Sequence, residues 1–271
     1  MHFFKAWKQL HWPEYAAEML GTAFNIFVGF SIITFNFGKG LPMEHLVPNP
    51  SIRLLINGLI FAGSGVLFSI SPLGKLSGSH LNPCLSLAFW LQGKMHKLDL
   101  VGYVIAQFLG AIIGCSLIKI VWGRYAASIN NCVTLPGQGY AIWYVFLAEV
   151  VMTCLLVLSI FMFLSSQRLM RWTPLMVWLL VATMVWLGAP ISGTSLNTAR
   201  SIAPALVTPL WQYQWLYCIA PPLGAVAAVG IFQLIPMGER SLLTCKLFHS
   251  PDYRCIFKNV RVPYKKDSRI S

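Results

Sequence analysis

Ser77-Gly78-Ser79-His80-Leu81-Asn82-Pro83-Cys84 returns further along the chain as Ser192-Gly193-Thr194-Ser195-Leu196-Asn197-Thr198-Ala199-Arg200, with Asn82 and Asn197 in register at an offset of 115 residues. Asn is a favoured N-cap, because its side-chain oxygen accepts from backbone N–H groups left without partners in the first helical turn, and Pro is favoured at the first helical position. Both stretches therefore read as helix starts. The segments they open, residues 81–91 and 196–210, are apolar but too short to cross roughly 30 Å of hydrocarbon. Re-entrant half-helices, shielded inside protein, are the alternative that keeps their backbone groups satisfied.

Around these two segments lie six longer apolar runs, at about 15–37, 54–71, 100–122, 142–164, 174–189 and 211–235, each long enough or nearly so to span a bilayer. The whole chain of 271 residues is 56% hydrophobic and 10% charged, against roughly a quarter charged in an ordinary soluble domain. The first run is too long for a signal-peptide core and no small-residue cleavage pattern comes after it, so it is read as a retained span. A net charge of +12 does not point to nucleic acid, because Lys and Arg sit between the apolar runs and in the C-terminal tail. Cys115, Cys154 and Cys218 lie inside apolar runs and no CxxC pair or metal-ligand spacing occurs, so the cysteines are read as packing residues and neither metal nor cofactor is expected.

The repeat extends beyond the Asn segments. Leu109-Gly110-Ala111 recurs as Leu223-Gly224-Ala225 at an offset of 114, and Ala17-Glu18 recurs as Ala148-Glu149 at 131, the first half carrying a longer connection through Pro42, Pro48 and Pro50. Residues 1–125 form one half with half-helix 81–91, residues 126–238 the other with half-helix 196–210, and 239–271 a basic tail. Three spans per half is an odd number, so the second half enters the membrane from the opposite side, and such inverted repeats put functional sites near the midplane. With the N-terminus cytoplasmic, Lys5, Lys8, Lys75, Lys94, Lys97, Arg168, Arg171 and the tail place fifteen of the twenty basic residues inside, the distribution the positive-inside rule favours.

Two half-helices starting at the midplane from opposite faces would each present the positive end of a dipole and an Asn amide to the same point. A water there would accept from both amides, which orients it and interrupts a proton-conducting file, while the dipoles and Arg200 repel cations. The expected chemistry is selective passage of neutral molecules.

Paired Asn motifs, Arg200 after only the second, and Ala17-Glu18-Met19-Leu20-Gly21-Thr22 in the first span together resemble the aquaporin, or major intrinsic protein, family over nearly the whole chain. The resemblance implies an all-α membrane protein of six transmembrane helices and two re-entrant half-helices. It further implies a homotetramer with one pore per subunit, Asn82-Pro83-Cys84 and Asn197-Thr198-Ala199 at each pore's centre, and Arg200 at its outer constriction. Glu18 and Glu149 are then structural carboxylates that accept from backbone N–H groups of the re-entrant loops, with proton carriage as the alternative reading. Two motif positions depart from the family pattern: Cys84 stands where Ala is usual, and Thr198 where Pro is usual. Family spacing places Val185, Thr194 and, with no insertion, Ala62 at the constriction, with Phe61 or Asn57 as alternatives for the last. Val185 and Thr194 are neither bulky nor aromatic and suggest a wider opening, whereas Ser201 and Ala205 match the water-conducting branch.

The function expected is a passive channel for water, with glycerol, peroxide or other small neutral solutes as further candidates, in the plasma (inner) membrane with both termini cytoplasmic. A secondary transporter is the rival, and a non-conducting structural protein a third reading; no nucleophile with base, metal cluster or phosphate loop points to an enzyme. His80 is read as a hydrogen-bonding residue of its loop, with a pH-sensitive gate as the alternative. Cys84 is read as a packing residue near enough to the pore for a mercurial to reach, and the tail as a topology determinant that could touch anionic headgroups.

Overall fold

A computed structural model describes residues 10–235 and 242–263 of the chain; Lys5, Lys8, Arg240, Lys265, Lys266 and Arg269, which contribute to the charge asymmetry, lie outside them. Six of the described helices are long and apolar enough to cross a membrane. In chain order the spans and half-helices are α1 Trp12–Phe37, α2 Pro50–Ile70, α3 Pro83–Leu91, α4 Lys97–Trp122, α5 Ile142–Leu164, α6 Thr173–Ser192, α7 Thr198–Val207 and α8 Gln214–Leu234. The short ones, α3 and α7, are the two half-helices.

Local chemistry explains where the boundaries differ from expectation. α2 begins four residues earlier than the run at 54, because the Asn49 side chain accepts from Ser51 N at 2.9 Å and Pro50 takes the first helical position, so part of the Pro-rich connection is helix. α3 and α7 begin two residues later than expected, since Asn82 and Asn197 cap them from outside in extended conformation. α6 runs on to Ser192 and stops at Gly193, whose φ of +77° is the left-handed conformation that commonly ends a helix.

The second sequence echo marks close helix crossings. A Cβ on Gly110 would lie 2.2 Å from Met19 O, and one on Gly224 would lie 2.4 Å from Val150 O. Without side chains there, α4 packs directly on α1, and α8 on α5. Small residues serve this purpose in lipid, where apolar association gains little from leaving the solvent and close backbone approach supplies the van der Waals energy.

Residues 242–263 pack under the bundle at the end where α1 begins. Lys246, only 1% exposed, donates to Lys75 O at 2.7 Å and Arg254 O at 2.6 Å. Lys94 donates to Leu242 O and Asn259 O at 2.8 and 2.7 Å. Lys246 is therefore spent on the protein's own carbonyls and does not reach a headgroup, whereas Lys258 and Arg261 are exposed. Hydrophobic burial drives the arrangement, with Leu242, Cys245, Phe257 and Val262 inside.

Candidate functional site

Each re-entrant loop is held by one buried carboxylate. Glu18 accepts from His80 N at 2.9 Å, Leu81 N at 2.7 Å and Gln107 Nε2 at 2.9 Å. Glu149 accepts from Ser195 N at 2.8 Å, Leu196 N at 3.0 Å and Ser192 Oγ at 2.7 Å. The loops need such anchors because Ser79, Leu81, Thr194 and Leu196 all have left-handed φ, between 48° and 57°, a conformation costly for residues with a Cβ. Tyr103 and Tyr217 complete the match, their hydroxyls donating to Ser77 O at 2.6 Å and Ser192 O at 2.7 Å. Neither tyrosine stands out in the sequence, although their offset of 114 equals that of Gly110 and Gly224.

The two loops meet through their asparagines. Asn82 Oδ1 accepts from Cys84 N at 2.9 Å, and its Nδ2 donates to Leu196 O at 2.8 Å. Asn197 Oδ1 accepts from Ala199 N and Arg200 N at 3.0 and 3.3 Å, and its Nδ2 donates to Leu81 O at 2.8 Å. Each NH2 group has two hydrogens and spends one across the interface, leaving one for a solute. The half-helix N-termini thus face each other, each carrying roughly half a positive charge. The two unusual motif residues also meet: Cys84 Sγ lies 3.5 Å from Thr198 Oγ1. Cys84 is 1% exposed and is absent from the cavity wall, which places its thiol behind the conduit.

A cavity of about 500 Å³ runs past these amides. α2 lines it from Leu54 to Ser69, roughly 22 Å of helix at 1.5 Å per residue. Asn82, Asn197, Arg200, Val185, Thr194 and Ala62 all line it, while Leu156, Val157, Ile160, Val177 and Val181 make an apolar wall from α5 and α6. Phe61 and Asn57, the alternatives to Ala62, line it too. It is Phe61 whose ring centre lies 5.9 Å from Arg200 Cζ, with Phe30 at 5.2 Å on the same guanidinium. Arg200 Nη1 donates to Thr134 Oγ1, a partner not identified from the sequence because it sits in an irregular connection. Thr194 turns its hydroxyl away to donate to Met184 O at 3.2 Å. Pro83, Thr198 and Ala199 form the first turns of α3 and α7 and support the site from behind.

His80 is fixed on every side. Its Nδ1 lies 3.0 Å from Ser86 Oγ and its Nε2 2.9 Å from Cys245 O, and its ring stacks between Phe89 and Phe257. The tail also reaches the conduit: Leu247, whose N–H donates to Gly78 O at 3.0 Å, lines one end of the cavity.

Comparison with known proteins agrees with this geometry. The family model described as Major intrinsic protein matches residues 5–232. Aquaporin AqpM of Methanothermobacter thermautotrophicus is 34% identical over 239 residues, covering 81% of this chain and 95% of that protein. Aquaporin-8 of Rattus norvegicus is 28% identical over 249 residues, covering 89% of this chain and 88% of the relative. Among solved structures, the aquaglyceroporin from Plasmodium falciparum superposes with a TM-score of 0.70 at 20% identity, over 84% of this chain and 98% of that one, a likeness of fold.

Proposed function

The chain belongs to the major intrinsic protein family, and on that premise we propose that it is a passive integral-membrane channel whose conduit passes water first, with glycerol, peroxide and similar neutral solutes as further cargo. The reciprocal bonds of Asn82 and Asn197 carry the reading: two amides, each with one free hydrogen, stand on the cavity wall between two helix N-termini. A molecule passing that point accepts from both and turns its own hydrogens away from each direction of travel, so a proton cannot hop through, and the facing dipoles oppose a cation.

Arg200 with Val185, Thr194 and one of Ala62, Phe61 and Asn57 forms the outer constriction in this proposal. The Phe61 and Phe30 rings beside the guanidinium support Phe61 as the closer neighbour. Residues 1–125 and 126–238 act as two halves related by inversion, with both termini cytoplasmic in the plasma membrane and four subunits assembled around separate conduits. The basic-residue distribution supports that orientation. A secondary transporter would need a coupling-ion site, and Glu18 and Glu149 are already occupied by backbone and side-chain donors.

Stopped-flow light scattering of proteoliposomes tests the proposal. Water permeability well above that of empty vesicles is expected, and folded protein that leaves permeability at the vesicle background removes it.

A further inference from the structure

Besides Asn82, Asn197, Asn57 and Asn130, a further asparagine stands on the conduit wall, Asn25. Asn25 is the middle of α1, thirteen residues after Trp12 and twelve before Phe37. In a helix that spans the bilayer this is mid-depth, the level at which the two half-helices begin. Asn25 lines the same cavity as Asn82 and Asn197. Ser64 Oγ, from α2, lies 2.7 Å from the Asn25 Oδ1 and 2.8 Å from Phe61 O, so its one hydrogen is shared between the two acceptors, while Ser64 itself is 4% exposed.

The other end of the amide has no hydrogen-bond partner among the described residues. Gly65, also on the cavity wall, leaves the room for this: a Cβ there would lie 3.3 Å from Asn25 Oδ1 and 3.8 Å from Nδ2. A polar group in a span is costly when unsatisfied and points by default to function when it faces a cavity. Asn25 is thus anchored at one end by a buried hydroxyl and offers its other end to whatever occupies the conduit.

The consequence lies in how many polar groups of a solute can be satisfied at once. Water at the centre needs only the two capping amides. A neutral solute with two or more hydroxyl or amide groups, flanked by the apolar wall of Leu156, Val157 and Val181, would leave a group unpaired unless another partner stood nearby. Such an unpaired group is a barrier to passage.

We propose that Asn25 is a specificity-determining residue, supplying a third hydrogen-bonding group at mid-conduit that lowers the barrier for small neutral solutes carrying several polar groups relative to the barrier for water. The proposal rests on the channel reading and deepens it.

Proteoliposomes of the full chain and of Asn25→Leu and Asn25→Ser test it, with water and glycerol permeability measured on the same preparations. The wild type passes both. Asn25→Leu keeps water permeability within about twofold and loses about tenfold in glycerol permeability, the size expected for one unmade hydrogen bond in the barrier. Asn25→Ser, which keeps a shorter polar group, falls between. A wild type that passes water but excludes glycerol overturns the proposal, as does an Asn25→Leu protein whose glycerol-to-water ratio is unchanged, whether both rates persist or both fall together. Wild-type protein that passes neither solute removes the channel reading itself, so the two failures are distinct.

Discussion

Arg254 grips Glu14 with two nitrogens: Nη2 donates to Oε2 at 2.6 Å, and Nε lies 2.5 Å from Oε1. The Glu14 side chain is fully buried, while that of Arg254 keeps 22% of its exposure. The pair ties the segment after the last span to the first turn of α1, 240 residues away in sequence, and so closes the end of the bundle where His80 and Leu247 sit.

Breaking this pair should be expensive, because Arg254→Ala leaves the buried Glu14 carboxylate without its paired guanidinium, with only the more distant Lys246 ammonium near it. Removing one partner of a buried pair costs about 3 kcal/mol or more, and the partial exposure of Arg254 brings the expectation toward about 2 kcal/mol. The variant should melt several degrees lower in detergent, with Arg254→Lys recovering part of the loss as a single point charge. Equal melting temperatures for wild type and Arg254→Ala would show that the contact contributes nothing.

Glu149→Gln probes the loop anchors. A Gln oxygen can replace one carboxylate oxygen, but its NH2 group then faces a donor, so at least one of Ser195 N, Leu196 N and Ser192 Oγ loses its acceptor. Hydrogen bonds to a charged group contribute about 1.5–3 kcal/mol each. The expected result is a lower melting temperature together with reduced water permeability, since Leu196 also presents the carbonyl that Asn82 binds. Glu18→Gln should act in the same direction through His80 and Leu81. Full permeability in either variant would argue that the loops hold their left-handed turns without the carboxylates.

Lys94 and Lys246 make packing of the tail pH-dependent. Burial pushes both ammonium groups below the usual lysine value, desolvation being the main cause in each. Between the lowered value and the ordinary one of about 10.4 the unpacked lysines bind more protons than the packed ones, so the lysines strengthen packing as pH rises through that window. The buried Cys245 and Cys255 thiols, which burial pushes up, instead weaken it as pH rises through the ordinary thiol value of about 8.5. Hydrogen exchange of residues 242–258 in a Cys245→Ala/Cys255→Ala protein, which lacks the opposing thiols, should show greater protection at about pH 9.5 than at about pH 8 once corrected for its intrinsic rate. Protection that falls over the same interval would contradict this.

The half-helices are legible in the sequence because their signals are local: Asn caps, a Pro and an abrupt end to the apolar run act within four residues. The Gly110 and Gly224 crossings are visible as an echo, though only the structure shows what the missing side chains admit. Asn25 is not legible, because one polar residue in an apolar run carries no periodicity and its meaning depends on Ser64 and Gly65 arriving from another helix. Leu247 is hidden for a related reason. A charged segment reads as solvated, and nothing local says that Lys246 will find two carbonyls, one of them 171 residues earlier in the chain.

The last prediction concerns how Arg200 is held. Its guanidinium donates to Thr134 and lies against Phe30 and Phe61, and Thr134 Oγ1 in turn lies 2.7 Å from Ser201 Oγ. Removing the charge with Arg200→Val takes away both a repulsive centre for cations and the bulk that narrows the conduit. Glycerol passage should then rise about tenfold, equivalent to about 1.4 kcal/mol of barrier, with measurable leak of small cations. Thr134→Val removes the side-chain acceptor together with its contact to Ser201, so Arg200 keeps its charge but loses a fixed position. Its solute profile should shift in the same direction by a smaller factor, without the cation leak. Flux assays in proteoliposomes with glycerol and a permeant-cation dye separate the two effects. If Thr134→Val leaks cations as freely as Arg200→Val, position and not charge is what excludes them.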